Sequence, residues 1–378
     1  MRIGIDIRAL MEGKTTGVEM YLDNLLRNIF EIDNINQYVL FANSFRRVSL
    51  PEYKYANVEM IVTRYPNKLF NLGQKLGFPT IEHLVGNIDL FFSPHWRATA
   101  LRDSTPLAVT FHDLFFEVSP AFFTWRRRIW HWFMNYRAAA SRANRIIAVS
   151  ENTKQDLVEL YGVSKSKVQV IYPGTIPANK PTTYNPQPTT YFLYFGTFEP
   201  RKNIEGVVAA YEEYYKSSKI RRPLVIAGSS GWKTMLRISA HLRGSIRIEK
   251  DVSEADKARL YQGAFAFVFP SFYEGFGFPV LEAASAGLPV LTSYNSSLIE
   301  VAGDFALFVN PFRPSEIADA MLELENDERL YDDLIRKGQI AAAGFKWENT
   351  ARSTIELFTN VSNLTPTLSV IGEGEKML

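Results

Sequence analysis

No cysteine occurs among the 378 residues. That excludes a disulfide framework, a thiolate zinc site and a cysteine nucleophile, and it suits a reducing compartment. Runs of about 18 apolar residues are also missing, and Met1-Arg2-Ile3-Gly4-Ile5-Asp6 carries charge where a signal peptide has its apolar core. The expectation is a cytoplasmic protein that neither spans a membrane nor is exported. Net charge is nearly absent, 42 basic against 40 acidic residues giving +2, which argues against nucleic acid as a partner. The balance hides an asymmetry: residues 1–190 hold 22 Lys and Arg against 16 Asp and Glu, and residues 191–378 hold 20 against 24. The first half therefore has the positive surplus that an anionic surface or substrate would use. No Asp-x-Asp pair occurs, which disfavours a metal-bridged diphosphate, and neither a metal nor a cofactor is expected. A Gly-x-Ser-x-Gly elbow is missing as well.

What is present is a rhythm of short β-branched and aromatic runs alternating with longer amphipathic ones, the pattern of βαβ units on parallel sheets. Strand-like runs lie at Arg2 to Ile7, Tyr38 to Ala42, Leu107 to Phe111, Arg145 to Val149 and Val168 to Ile171. The rhythm stops at residues 173–190, where Pro173, Pro177, Pro181, Pro186 and Pro188 interrupt any hydrogen-bond ladder. It resumes at Tyr191 to Phe195, Leu224 to Ala227, Ser245 to Ile248, Ala266 to Pro270 and Val290 to Leu291. This predicts an N-terminal α/β domain over 1–175, a Pro-rich linker over 176–190 and a second α/β domain over 191–349. A last helix near 350–362 is expected to pack back on the first domain, followed by a flexible tail over 363–378.

Two loops of the second half draw attention. Gly196-Thr197-Phe198-Glu199-Pro200-Arg201-Lys202-Asn203 precedes a helix over Ile204 to Tyr215. Two cations at a helix start oppose the macrodipole, so alone they cost stability, and a diphosphate held by Arg201, Lys202 and the loop amides would reverse the sign. Solvated surface cations are the alternative. The second loop, Pro270 to Pro279, contains Glu274, Gly275 and Gly277 and leads into a helix that carries Glu282 near its first turn. Carboxylates only accept, which suits sugar hydroxyls; for Glu282 a favourable helix-dipole pairing is the alternative. In the first half, Gly13 to Gly17 link a strand to a helix beginning about Val18, either as a capping box made by Thr16 and Glu19 or as a phosphate or acceptor loop. His112-Asp113 follow Leu107 to Phe111, at a strand end where open α/β sheets bind ligands. Gly13-Lys14-Thr15 is no P-loop, since Arg8 stands at the earlier glycine position, and Gly275-x-Gly277 lacks the third glycine of a dinucleotide fingerprint, Val280 standing there.

Taken together, Gly196 to Asn203, the Glu274/Glu282 pair eight residues apart, Phe111-His112-Asp113-Leu114, Tyr172-Pro173-Gly174 and Phe345-Lys346-Trp347-Glu348 resemble the retaining glycosyltransferases of family 4. The similarity is to their branch of bacterial mannosyltransferases of O-antigen and other surface polysaccharides. It implies a GT-B fold, two Rossmann-like α/β domains facing each other across a cleft. It also implies a nucleotide-sugar donor, GDP-mannose before UDP-glucose or a related UDP-hexose, and a glycan or polyprenyl-pyrophosphate-linked glycan acceptor. Glu274 would hold the donor sugar, Glu282 the ribose, Arg201 and Lys202 the diphosphate, and His112 would line the sugar site. Gly196, Thr197, Gly275, Phe276, Gly277 and Phe278 would border sugar and phosphate, Gly228 and Val252 the base, and Gly17 the cleft. The chain departs from the family loop in having Thr16 where a second glycine often stands. A GT-B epimerase or phosphorylase, or a non-catalytic assembly protein, is the alternative.

Residues 121–137 hold seven Phe, Trp and Tyr residues and four arginines, including half of the chain's six tryptophans. Such a helix suits the headgroup layer of an anionic membrane, which would place the protein peripherally on the cytoplasmic face; a stripe packed in the core is the alternative.

Overall fold

The computed structural model describes residues 1–11, 17–175, 190–232 and 236–362. All of the expected linker but Thr190, the expected tail and most of the glycine loop, at 12–16, lie outside the described residues. In chain order the first elements are β1 (Arg2–Asp6), α1 (Gly17–Ile32), β2 (Gln37–Asn43), β3 (Val58–Thr63), α2 (Asn67–Leu76), α3 (Ile81–Val85) and β4 (Leu90–Ser93). Next come β5 (Leu107–Phe111), α4 (Phe115–Val118), α5 (Trp125–Met134), α6 (Tyr136–Arg142), β6 (Arg145–Ala148), α7 (Glu151–Tyr161) and β7 (Val168–Val170). The second half runs β8 (Tyr191–Phe195), α8 (Ile204–Ser217), β9 (Leu224–Gly228), β10 (Ile246–Lys250), α9 (Glu254–Gly263), β11 (Ala264–Phe269) and α10 (Phe278–Ser285). It closes with β12 (Val290–Ser293), α11 (Leu298–Ala302), β13 (Ala306–Val309), α12 (Pro314–Asn326), α13 (Glu328–Gly344) and α14 (Trp347–Ser362).

The strands form two sheets, ordered β3-β2-β1-β4-β5-β6-β7 and β10-β9-β8-β11-β12-β13. Every neighbouring pair of the second sheet is parallel. Parallel strands covered on both faces read as unbroken apolar runs, and β11, Ala-Phe-Ala-Phe-Val-Phe, is buried along its whole length. Three strands escape the periodicity reading: β3, at a sheet edge with none of its residues buried, and the four-residue β4 and β13. The strand expected at Ser245 to Ile248 runs instead from Ile246 to Lys250.

The chain divides into two compact units. One comprises Met1–Thr110, Ala138–Ile147 and Ala351–Leu378; the other comprises Phe111–Arg137 and Ala148–Thr350. In the first, α1 buries Tyr21, Leu22, Leu25, Leu26, Ile29 and Phe30, the spacing of one helical face, and Phe358 of α14 meets Phe92 edge-on at 5.0 Å between centroids. In the second, the order of the sheet reverses between β8 and β11. At such a reversal the loops leaving the two strands at their carboxyl ends diverge to opposite faces and open the crevice where doubly wound sheets bind ligands. Here those loops are Gly196 to Asn203 and Pro270 to Gly277.

Candidate active site at the sheet reversal

The loop after β8 does not present bare cations. Arg201 and Lys202 lie in a short 3-10 turn, Pro200–Lys202, rather than on the first turn of α8. Arg201 donates through Nε and Nη2 to Glu199 Oε1, at 2.9 and 2.7 Å, and through Nη1 to Glu274 Oε2 at 2.8 Å. Lys202 Nζ donates to Glu274 Oε1 at 2.7 Å. The alternative of two solvated surface cations is overturned: two carboxylates balance them. The reason is desolvation, since Lys202, Glu199 and Glu274 are all buried and an unpaired buried ion costs several kcal/mol. Burial would raise the Glu274 carboxyl, but Arg201 and Lys202 outweigh it and hold the group below its ordinary value. Burial pulls the Lys202 ammonium down, with Glu274 offsetting only part of the effect. Arg201 is held fully charged, burial being overcome by Glu274, Glu199 and Asp113.

Backbone groups complete the turn. The amides of Gly196, Phe198, Glu199, Lys202 and Asn203 already donate to the carbonyls of Ala227, Ser229, Thr197, Glu199 and Pro200, so in this state these amides are not turned to a phosphate. Asn203 stands at φ 56° before α8 and uses its side chain on the carbonyls of Pro270 and Pro311, at 3.0 and 2.7 Å, instead of capping the helix. A Cβ on Gly228 would lie 1.9 Å from the Gly196 carbonyl oxygen, so glycine is required where the ends of β8 and β9 meet. Thr197 and Ser229 share a hydroxyl hydrogen bond of 3.2 Å. Val252 is half-buried, next to Asp251, whose amide donates to the Gly228 carbonyl.

Serines cage the loop after β11. Ser271 Oγ donates to Glu274 Oε1 at 2.8 Å, the Glu274 amide donates to Ser296 Oγ at 2.8 Å, and Ser297 Oγ reaches the carbonyls of Glu274 and Phe276 at 2.8 and 3.0 Å. Gly275 is required for packing, since its Cβ would fall 1.9 Å from the His112 carbonyl oxygen. That contact brings the His112-Asp113 turn to the Glu274 loop. Gly277, at φ 107°, supplies the left-handed residue before α10. The Phe278 amide, at the first position of the helix, has no intrahelical acceptor; Pro279 has no N–H, and the Val280 amide donates to the Gly277 carbonyl at 3.0 Å.

Glu282 lies in the second turn of α10, not the first, and meets no helix dipole. It accepts from Lys257 Nζ at 2.6 Å and Tyr261 Oη at 3.1 Å. Burial still raises its carboxyl above the ordinary range, against the pull of Lys257. It thus forms a second acid–base pair apart from the Glu274 cluster, under the end of β8, where Lys257 Nζ lies 5.5 Å from the centre of the Phe195 ring. Gly17 begins α1 in the other unit. Among the described residues no group of three His, Asp or Glu side chains converges to hold a metal ion.

Sequence reasoning gave no role to Glu199, Ser271, Ser296 or Ser297. Glu199, an acid two residues before Arg201, and Ser271, three residues before Glu274 in the same loop, had a local signal; Ser296 and Ser297 act from the loop after β12.

With this geometry in view, the similarities are decisive. The Glycosyltransferase Family 4 signature matches residues 15–178 and Glycosyl transferases group 1 matches 176–340, end to end. The chain belongs to the family 4 glycosyltransferases. It is a hexosyltransferase by type, with a GT-B fold. The O-antigen chain mannosyltransferase B of Escherichia coli is 28% identical over 373 residues, covering 91% of this glycosyltransferase and 96% of that protein. Among solved structures, a sucrose-phosphate synthase from Thermosynechococcus elongatus has a TM-score of 0.75 at 19% identity, over 96% of this chain and 99% of that one. The Anabaena protein HepE, solved with UDP and glucose, reaches 0.69 at 17% identity, over 95% and 100%.

Proposed function

We propose that this glycosyltransferase is a retaining, metal-independent enzyme that moves mannose from GDP-mannose, with UDP-glucose or a related UDP-hexose as the next choice, to a glycan or lipid-linked glycan acceptor in surface polysaccharide synthesis. The observation that carries the reading is the buried 2:2 cluster of Arg201, Lys202, Glu199 and Glu274 at the reversal point of a parallel sheet. Breaking an anomeric bond to a nucleoside diphosphate builds negative charge on the departing phosphate, and preorganised cations are the largest means of stabilising it. In this reading Arg201 and Lys202 turn from carboxylates to phosphate when the donor binds. Glu274, released from Lys202, then accepts from hydroxyls of the donor sugar, while Glu199 keeps the guanidinium aligned. His112 lines the sugar site, Glu282 holds the ribose, and Gly228 and Val252 border the base. The name of the E. coli relative supports mannose, and the HepE complex supports a nucleotide-sugar donor.

Retention by double displacement needs a free carboxylate below the anomeric carbon, and in this reading the carboxylate that donor binding frees, Glu274, is taken up by the hydroxyls of the donor sugar and by Ser271. We therefore favour attack from the face of the leaving group: the bond from C1 to phosphate oxygen breaks, the bond from C1 to the acceptor oxygen forms, and the acceptor's hydroxyl proton passes to the departing phosphate. Thermal melts with GDP, UDP and their hexose conjugates test the reading and require no acceptor. At 100 times its dissociation constant the true nucleotide stabilises by about 2.7 kcal/mol; no shift with any of them would end it.

A further inference from the structure

A chamber of about 480 Å³ adjoins the cluster on the Glu199 side of Arg201, and Glu274 is not among its walls. Its volume lies within the usual range of small-molecule sites, about 300–1,000 Å³. Its polar groups are Asp113, Glu199, Arg201 and Arg127. Its apolar sides include Phe123 and Trp232, whose rings lie nearly parallel, at 28°, with centroids 6.2 Å apart. Trp232 is held on two sides, by its Nε1 donating to the Phe122 carbonyl at 3.3 Å and by the Arg127 guanidinium, 3.7 Å from the ring centre. His131, stacked on Phe116 at 4.5 Å, closes another wall.

The balance of charge selects the guest. Two carboxylates against two guanidiniums give no net pull on an anion, and since Glu199 accepts from Arg201 and Asp113 from the Phe115 amide through one oxygen each, an apolar guest would desolvate the second oxygen of both without supplying a donor. A neutral hexose meets every wall: its C–H face lies on an aromatic ring, and its hydroxyls donate to carboxylates, which only accept. Position adds the role. One guanidinium bridges Glu199, in the chamber wall, and Glu274, so the chamber lies one side chain away from the carboxylate assigned to the donor sugar. We propose that this chamber, floored by Asp113 and Glu199 and walled by Phe123 and Trp232, seats the terminal neutral hexose of the acceptor glycan. The proposal rests on the nucleotide-sugar reading of the adjoining cluster.

Saturation-transfer-difference NMR on the full chain tests it, with methyl α-D-mannopyranoside as probe and with whichever of GDP or UDP stabilises the protein present at saturation. The native protein should transfer saturation to the ring protons of the probe. Trp232→Ala should reduce the effect at least fivefold and Trp232→Phe should keep most of it, while the nucleotide's thermal shift stays unchanged in both. Phe123→Ala, expected to weaken the signal in the same way, serves if Trp232→Ala does not fold. No transfer in the native protein, or undiminished transfer in the Trp232→Ala and Phe123→Ala proteins, overturns the proposal and leaves the nucleotide reading standing. Loss of the nucleotide shift in Trp232→Ala with the sugar signal retained assigns the ring to the base and overturns it too. If neither GDP nor UDP stabilises the native chain, the reading of the cluster itself fails, and this proposal with it.

Discussion

Lys202 and Glu199 illustrate what single residues contribute. Lys202 is buried beside one carboxylate, and that carboxylate has a second cation and a serine hydroxyl of its own. Removing the ammonium therefore does not orphan Glu274, and the fold should survive. Lys202→Ala is expected to lower kcat by several hundredfold, the scale of losing one charge-stabilising donor, about 10²–10³. Steady-state rates with a melting curve on the same sample check this, and near-normal turnover would take Lys202 out of the chemistry. The four residues of the cluster stood in view as letters, but their pairing did not. Glu199 and Arg201 are two apart, whereas Arg201 and Glu274 are 73 apart, and only the adjacency of β8 and β11 brings that second carboxylate to the guanidinium.

At the scale of an element, α5 differs most from its reading as one aromatic, basic helix over 121–137. A 3-10 turn at Pro120–Phe122 precedes it, Thr124 caps it by accepting from the Arg127 amide, and Asn135, at φ 49°, separates it from α6. The two readings of its aromatic stripe divide between its faces. His131 turns inward to Phe116, whereas Trp125, Ile129 and Trp132, at i, i+4 and i+7, are 66, 56 and 81% exposed. Arg126 and Arg128 flank that stripe in solvent, and the helix contains no acid. Tryptophans beside arginines fit the headgroup layer of an anionic bilayer. Though no described helix is long and apolar enough to cross a membrane, we expect the protein to float with phosphatidylglycerol vesicles at low salt. Trp125→Ser/Trp132→Ser should lose that retention at unchanged melting temperature. Equal flotation of the double variant would remove α5 from the contact.

For the whole molecule, the buried ionisable groups set the pH range of stability. In the first unit Asp6 is buried and, despite desolvation, held below its ordinary value by Arg8, whose Nη2 donates to it at 2.6 Å; in the second, Glu274 is held down likewise. Depressed carboxyls stabilise above their unfolded values and lose that contribution as pH falls through the folded ones. His131 acts earlier: burial lowers it from 6.5 to about 4, so between these values the unfolded chain binds a proton that the folded one does not, and stability falls as pH drops. The denaturation midpoint should be level near pH 7, decline between 6.5 and 4, and fall steeply below. His131→Phe should flatten the upper part alone; an unchanged slope there would place the titration elsewhere.

The amino-acid sequence by itself determined the α/β rhythm, most of the strands and the two loops that the sheet reversal brings together, because periodicity, glycine and local charge act over a few residues. Tertiary structure alone decided which charges meet. Desolvation acts on a group through everything packed around it, so only the folded chain could show that the cations are neutralised, that Gly275 is a packing requirement of the His112 carbonyl, and that Glu282 pairs with Lys257 instead of a helix dipole.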